Sequence, residues 1–258
     1  MKTLFLAVII VFATKSTPVP AAGNEYCNTA GNSALQLANH APVASPIAVD
    51  ASLLTGVDIS LSISPAEWRM QYAAIAAAIT DPDILRTFQL GALGRIGFAV
   101  YTWSQPGETQ IVVPWMVIGS ESDAQAIAKI LNSAPIYQRG ALLVTDAGTA
   151  IRDGLDILSA STFISGRKVL NLLTNGFPSG DCDPAIMRNV AAEQDVTLNA
   201  LIIGPKPNLA GYYRSEIVSG VGAFALEFSG LDDFSVAVSR KFMLDMATLM
   251  YGQFDEFP

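Results

Sequence analysis

Predominantly apolar runs occupy Val49–Val57, Ile96–Trp103, Gln110–Ile118, Arg167–Leu173, Val196–Ile203 and Ala223–Phe228. Short runs rich in Val, Ile and Leu and bounded by turn residues read as strands, and a strand covered on both faces needs no polar alternation. Between them the period lengthens. Trp68, Tyr72, Ile75 and Ile79 fall four, three and four apart, and steps of three or four also separate Ile151, Leu155 and Leu158 on a later segment and Phe234, Val238, Phe242, Met246 and Leu249 near the end. Each set makes one apolar stripe of a helix that faces a sheet. Shorter helices are expected at Ile84–Leu90, Glu121–Leu131 and Pro184–Glu193, with the 133–148 stretch mostly irregular and Ala141–Thr145 a short extended piece. The second and third strands are joined only by the turn around Gln105-Pro106-Gly107-Glu108, so they must pair antiparallel. The pattern predicts β-α-β-β-α-α-β-α-β-α-β-α. This is an α/β fold, an open doubly wound, mostly parallel six-stranded sheet, Rossmann-like, with one antiparallel edge strand and helices on both faces.

The first strand ends in Asp58-Ile59-Ser60-Leu61-Ser62. Alternate side chains of a near-extended segment point the same way, so Asp58, Ser60 and Ser62 can bring three oxygens together. One carboxylate and two hydroxyls form a hard-oxygen set suited to Mg²⁺, and a plain turn is the alternative for so short a string. The carboxyl end of a first strand is also where open α/β sheets bind ligands. A helix follows at once, with Ser64 as N-cap, Pro65 at the first position and Glu67 closing a capping box. Gly56, inside the strand, is expected to mark close approach of another backbone. Thr149, at the start of the helix after Asp146-Ala147-Gly148, is either a second hard-oxygen donor or a simple N-cap.

Charge and cysteine usage narrow the setting. The chain has 258 residues and a net charge of −8. With a pI near 4.6 and no basic run, it has no phosphate-binding surface for nucleic acid. Residues 1–22 combine Lys2, a short apolar stretch and small residues after Pro18 and Pro20, a signal-peptide pattern too short to span a bilayer. The expected organisation is a signal peptide at 1–22, an exposed arm at 23–48, the domain at 49–250 and a tail at 251–258, with a secreted or periplasmic location and no later membrane-spanning segment. Two cysteines, Cys27 and Cys182, are allowed a disulfide in that setting, free thiols being the alternative. The single histidine, His40, lies in the arm. That leaves no Ser-His-Asp triad and no multi-histidine zinc site to build. No G-x-S-x-G elbow, P-loop or G-x-G-x-x-G opens a helix, so the reading is not an enzyme.

The order of elements, Asp58-x-Ser60-x-Ser62 after the first strand, Gly148-Thr149 before a mid-chain helix and the polar turn Thr174-Asn175-Gly176 resemble a von Willebrand factor A domain. Val57–Trp68, Gly94-Arg95-Ile96, Trp103-Ser104, Val113-Pro114-Trp115, Gly148-Thr149-Ala150-Ile151, Tyr212-Tyr213-Arg214 and Gly222-Ala223-Phe224 resemble an exported bacterial branch of that family, a domain of unknown function. The likeness covers roughly residues 48–248. It implies a metal-ion-dependent adhesion site with Asp58, Ser60 and Ser62 from the first loop, Thr149 from the second and Asn175 from the third. It further implies Mg²⁺, or Mn²⁺ or Ca²⁺, and a protein partner bound through a Glu or Asp carboxylate. Asn175 stands where the family carries an aspartate, so one charge is missing. The expected cation affinity is correspondingly low, and a metal-free structural or interaction module is the alternative reading.

Overall fold

The computed structural model describes residue 27 and residues 45–136, 144–228 and 234–251. Its central sheet has six strands. In chain order the strands and helices are β1 (Ile47–Ala48), β2 (Ser52–Asp58), α1 (Pro65–Thr80), α2 (Pro82–Phe88), β3 (Ile96–Trp103), β4 (Gln110–Ile118), α3 (Glu121–Ser133), α4 (Ala147–Ser159), β5 (Phe163–Ile164), β6 (Lys168–Thr174), α5 (Pro184–Glu193), β7 (Val196–Ile203), α6 (Leu209–Tyr212), β8 (Ala225–Phe228) and α7 (Phe234–Tyr251). The sheet order is β4-β3-β2-β6-β7-β8, parallel throughout except for the antiparallel β3–β4 hairpin. The six-stranded α/β sheet with one antiparallel edge is therefore the fold that the hydrophobic pattern predicts.

The central strand β2 is buried along its whole length, because β3 and β6 flank it and helices cover both faces. On one face Leu53 and Val57 join Trp68, Tyr72, Ile75 and Ile79 of α1, Ile127 and Leu131 of α3, and Phe234, Val238, Phe242 and Met246 of α7. On the other, Leu54, Leu170 and Leu172 pack against Ile151, Leu155 and Leu158 of α4 and against α5. Alternation along the strands sends successive side chains to opposite layers. Burying each such large apolar side chain contributes about 1.5–3 kcal/mol.

Local signals act as the sequence suggests at α1. Ser64 Oγ accepts from Glu67 N while Glu67 Oε2 accepts from Ser64 N, closing the capping box. At Gly56 the expectation needs correction: the close neighbour is the Tyr101 side chain, whose ring atoms lie 2.7 Å from where a Cβ would stand, and not a backbone. Two further elements escape the pattern. Ile47–Ala48 and Phe163–Ile164 form a separate two-stranded parallel sheet, so the first long strand starts at Ser52. The stretch before Gly222 contains α6 and a π turn at Tyr213–Ile217. His40, the 1–22 segment and the tail beyond Tyr251 lie outside the described residues, as do residues 141–143 of the expected extended piece.

Cys27 and Cys182 form a disulfide with their Cα atoms 4.9 Å apart. Arg152 strengthens this attachment, donating from Nη1 to the Cys27 carbonyl at 2.9 Å while pairing with Asp153 at 2.6 Å in a buried setting. Among the described residues no helix is long and apolar enough to cross a membrane.

Candidate functional site

Strand order reverses at β2, whose neighbours β3 and β6 are reached by the chain in opposite directions. Such a switch point leaves a crevice beyond the carboxyl ends of the strands. Asp58 closes β2 and Thr174 closes β6, while the start of α4 is tied to the end of β3 by Asp146 N donating to Ser104 O at 2.8 Å. Three loops therefore meet over one end of the sheet: residues 58–64, 144–149 and 174–183.

Hydroxyl and amide groups stitch the loops together. Thr174 Oγ1 donates to Asp58 Oδ2 at 2.7 Å, and Ser60 N donates to Asp58 Oδ1 at 2.7 Å. Ser60 and Ser62 share a hydrogen bond of 3.2 Å between their hydroxyls, and Thr145 Oγ1 donates to Ser60 Oγ at 3.1 Å. Ser62 Oγ donates to Asn175 Oδ1 at 2.5 Å, and Asn175 Nδ2 returns a bond to the Ser62 carbonyl at 3.1 Å. Asn175 thus clasps the first loop to the third through both ends of its amide. Beneath it the buried Tyr213 hydroxyl donates to the Gly176 carbonyl at 3.1 Å.

Thr149 is not the N-cap of α4. That position belongs to Asp146, whose Oδ1 accepts from Thr149 N at 2.8 Å. The Thr149 hydroxyl and the Cys182 backbone also hydrogen-bond the Asp146 carboxylate, so the cap joins the helix to the disulfide loop. Close packing holds this corner together. A Cβ on Gly148 would stand 2.2 Å from the Cys182 carbonyl oxygen, and one on Gly180 would stand 2.3 Å from Asp146 Oδ2. The loop carrying the disulfide is therefore pressed onto the first turn of α4.

Burial dominates the electrostatics. Asp58 is fully buried, and desolvation pushes its carboxyl above the ordinary range against the opposing hydrogen bonds from Ser60, Thr174 and Asn175. Desolvation also raises Asp146, opposed by the Thr149 and Cys182 groups beside it and by the charge of Arg152. Raised values of this kind disfavour the charged form unless a positive charge is supplied.

All five sequence-predicted residues, Asp58, Ser60, Ser62, Thr149 and Asn175, lie on these three loops. Hydrogen bonds join Asp58, Ser60, Ser62 and Asn175 directly, whereas Thr149 enters through Asp146 and its neighbour Thr145. Sequence reasoning missed Thr145, Asp146 and Thr174. Asp146 was the most accessible of these, because an Asp three residues before a helical Thr is a common N-cap arrangement. The Thr145–Ser60 contact links residues 85 apart, and no local signal encodes it. Among the described residues no group of three His, Cys, Asp or Glu side chains could hold a metal, so any cation here must rely on hydroxyls. The donors present, one carboxylate and several hydroxyls, are hard oxygens, and this chemistry fits a divalent cation.

Apolar side chains rim the crevice. Leu61, between the two serines, is 64% exposed, Phe177 beyond the clasp is 45% exposed, and Val144 is also exposed. Phe177 meets Tyr212 edge to face at 5.7 Å.

The model of a family described as "Protein of unknown function (DUF1194)" matches residues 48–250. No curated protein matches the chain in sequence. Among solved structures, the pilus adhesin SpaC from Lactobacillus rhamnosus GG is similar at a TM-score of 0.54 and 15% identity, over 78% of this chain and 31% of that one. Proximal thread matrix protein 1 from the mussel byssus, solved with a zinc-occupied MIDAS motif, is similar at 0.53 and 19%, over 80% and 47%. A von Willebrand factor type A protein from Catenulispora acidiphila is similar at 0.54 and 16%, over 77% and 43%. The chain spans less than half the length of each, and at these identities the likeness is one of fold, the von Willebrand factor A-like fold.

Proposed function

This chain belongs to the DUF1194 family, and from that premise we propose that it is an exported, non-enzymatic protein-binding module that engages a partner carboxylate through a cation. The observation that carries the reading is the convergence of Asp58, Ser60 and Ser62 from the first loop, Thr149 from the second and Asn175 from the third at the switch point, joined by the Ser60–Ser62 and Ser62–Asn175 hydrogen bonds. Ser60, Ser62 and Thr149 would hold the ion, with Asp58 and Asn175 orienting the loops. A divalent ion of this class, Mg²⁺, Mn²⁺ or Ca²⁺, supplies positive charge and a coordination position open to a Glu or Asp side chain.

The surroundings favour such a contact. Leu61, Phe177 and Tyr212 offer an apolar rim that a partner side chain beside the carboxylate can cover, and aromatic groups of this kind are enriched at interfaces. The chain's net charge of −8 repels acidic partners, so an acidic partner would bind only where the cation cancels that repulsion. The disulfide and the fold's likeness to an adhesin and a matrix protein support a secreted or periplasmic setting.

The test is capture of envelope proteins by the immobilised domain in Mg²⁺, in a chelator, and with Asp58→Ala. Capture is expected in Mg²⁺ alone. A partner retained equally in chelator and by the variant would sink the proposal.

A second reading, a metal-free module that keeps the fold as a structural or interaction part, has a specific observation behind it. Asn175 spends both ends of its amide on Ser62, and both Asp58 oxygens already accept hydrogen bonds. Calorimetric titration with Mg²⁺, Mn²⁺ and Ca²⁺ separates the two, since absence of heat and of any thermal shift favours the second.

A further inference from the structure

We propose that Lys241 forms an isopeptide bond with Asn171, with Asp245 carrying the protons, so that α7 becomes covalently joined to β6. This chemistry lies in the core beneath α7 and is independent of the cation site.

Three side chains of the required chemistry meet there away from water. Lys241 Nζ lies 2.7 Å from Asp245 Oδ2, and Asn171 Nδ2 donates to the same oxygen at 3.3 Å. The amine and the amide are therefore neighbours across one carboxylate oxygen. Lys241, Asp245 and Asn171 are each at most 1% exposed. The wall beside them is apolar: Nζ lies 4.3 Å from the centroid of the Phe242 ring, which meets Phe88 and Phe98 edge to face. Asn199, on the neighbouring strand, is the poorer target. Its Nδ2 donates to Asp245 Oδ1 at 2.9 Å and its Oδ1 accepts from Phe224 N at 3.0 Å, so both ends of its amide are held.

An ammonium is no nucleophile, and an amide needs an acid to release its nitrogen; a desolvated Lys beside a carboxyl group supplies both. Burial favours the neutral forms, pushing the Lys241 ammonium down and the Asp245 carboxyl up against the attraction of the opposite charges. The ion pair is the resting form, and passing its shared proton to Asp245 gives a neutral amine beside a carboxylic acid. The Asn171 amide then turns its Oδ1 toward that acid. The Nζ lone pair forms the Nζ–Cγ bond while Asp245 protonates Oδ1. Asp245 next removes a proton from Nζ and passes one to Nδ2. The Cγ–Nδ2 bond breaks, ammonia leaves with the electron pair, and the Oδ1 proton returns to Asp245 as the carbonyl re-forms. No water, oxidant or cofactor enters, and exclusion of water keeps hydrolysis from competing. Dependence on the neutral pair makes the reaction slow, so freshly folded protein still holds the ion pair. The finished bond ties the last helix to the sheet, as the disulfide ties Cys27 to the loop after β6.

The test uses the folded full chain, fresh and after prolonged incubation, weighed intact and then reduced, digested with trypsin and sequenced by mass spectrometry. The incubated protein is expected to be lighter by one ammonia and to yield a branched peptide that joins the Asn171 segment to the Lys241 segment. Fragmentation of that peptide places the bond on Asn171 and separates it from loss of ammonia at Asn175-Gly176, which lies in the same tryptic segment. Lys241→Met is expected to give no branched peptide. Asp245→Asn, which removes the acid, is expected to keep its full mass, and bond formation at the parental rate in that variant would overturn the role of Asp245. A branch through Asn199 would overturn the choice of Asn171. Recovery of Lys241 as a free side chain from incubated, folded parent protein would overturn the bond itself, whatever the variants do.

Discussion

The buried ion pair of α7 is the place where a single substitution should cost most. Lys241 Nζ lies 2.7 Å from Asp245 Oδ2, with side chains 1% and 0% exposed. Asp245 also accepts from Asn199 Nδ2 at 2.9 Å and from Asn171 Nδ2 at 3.3 Å, two residues that face each other across β6 and β7. Burial pushes the Asp245 carboxyl up and the Lys241 ammonium down, each opposed by the charge of the other and, for Asp245, by Arg167. The two partners are therefore unequal. Asp245→Ala leaves a desolvated ammonium and two buried amide donors without their acceptor. Breaking a buried pair in this way costs about 3–5 kcal/mol, and each orphaned amide adds about 1–3 kcal/mol before relaxation. A net loss of about 5 kcal/mol is expected. Lys241→Met removes the ammonium together with its desolvation cost and leaves Asp245 its two amides and Arg167, so the loss should stay below about 2 kcal/mol. Urea unfolding with an unchanged slope measures both, and in a domain of this size the larger loss corresponds to about 10 °C or more in Tm. Equal losses, or a costlier Lys241→Met, would refute the argument that Asp245 is the hub.

Two further outcomes follow from the same physical terms. Replacing Cys27 and Cys182 together by Ser opens a loop with a sequence separation of 155, for which the chain-entropy estimate is about 5 kcal/mol and the usual measured cost about 2–5 kcal/mol; a loss under about 1 kcal/mol by urea unfolding would show that the arm contributes nothing. Burial raises the carboxyls of Asp58, Asp146, Asp156 and Asp245 above their unfolded value near 3.8. The folded state then binds more protons than the unfolded one, so their stabilising contribution is fully present below the unfolded value and is lost as pH rises through the folded values. In chelator these four carboxyls should accordingly make Tm higher as pH is lowered toward their unfolded value, and a Tm that falls throughout acidification would contradict it.

The fold was legible because its signals are local and repeated. Apolar runs long enough for strands alternate with 3.6-period stripes, and the short Gln105–Glu108 turn leaves the β3–β4 hairpin no parallel option. The capping box of α1 could be read residue by residue. What escaped was short or non-local. Ile47–Ala48 is too brief to carry a period, and it becomes a strand only because Phe163–Ile164 lies alongside. The α6 segment and its π turn have no amphipathic run, and Tyr213 is buried there by its contact with the third loop. At the site, the Asp58 motif was readable because its spacing is internal to one loop. Asp146 was hidden behind Thr149, since choosing the cap from two oxygen-bearing residues on one turn requires the backbone. The Asn171–Asn199–Asp245 network was equally invisible, because only strand register brings the two asparagines together.

The hydrogen bonds that close the site also set terms for any cation within it. Thr145–Ser60, Ser62–Asn175 and Thr174–Asp58 hold three loops in place without help from an ion. On the proposed reading, a cation that takes over the Ser60 and Ser62 oxygens competes with two of these bonds, each worth about 1 kcal/mol net. An exchange of about 2 kcal/mol weakens binding by about thirtyfold. Against that, loops already ordered give up little further conformational freedom on binding, which favours it. Asn175 sits on both sides of this balance. Its amide clasps Ser62 through donor and acceptor at once, which an aspartate at this position would do only in part because it lacks the N–H. The neutral residue therefore exchanges charge for order in the third loop.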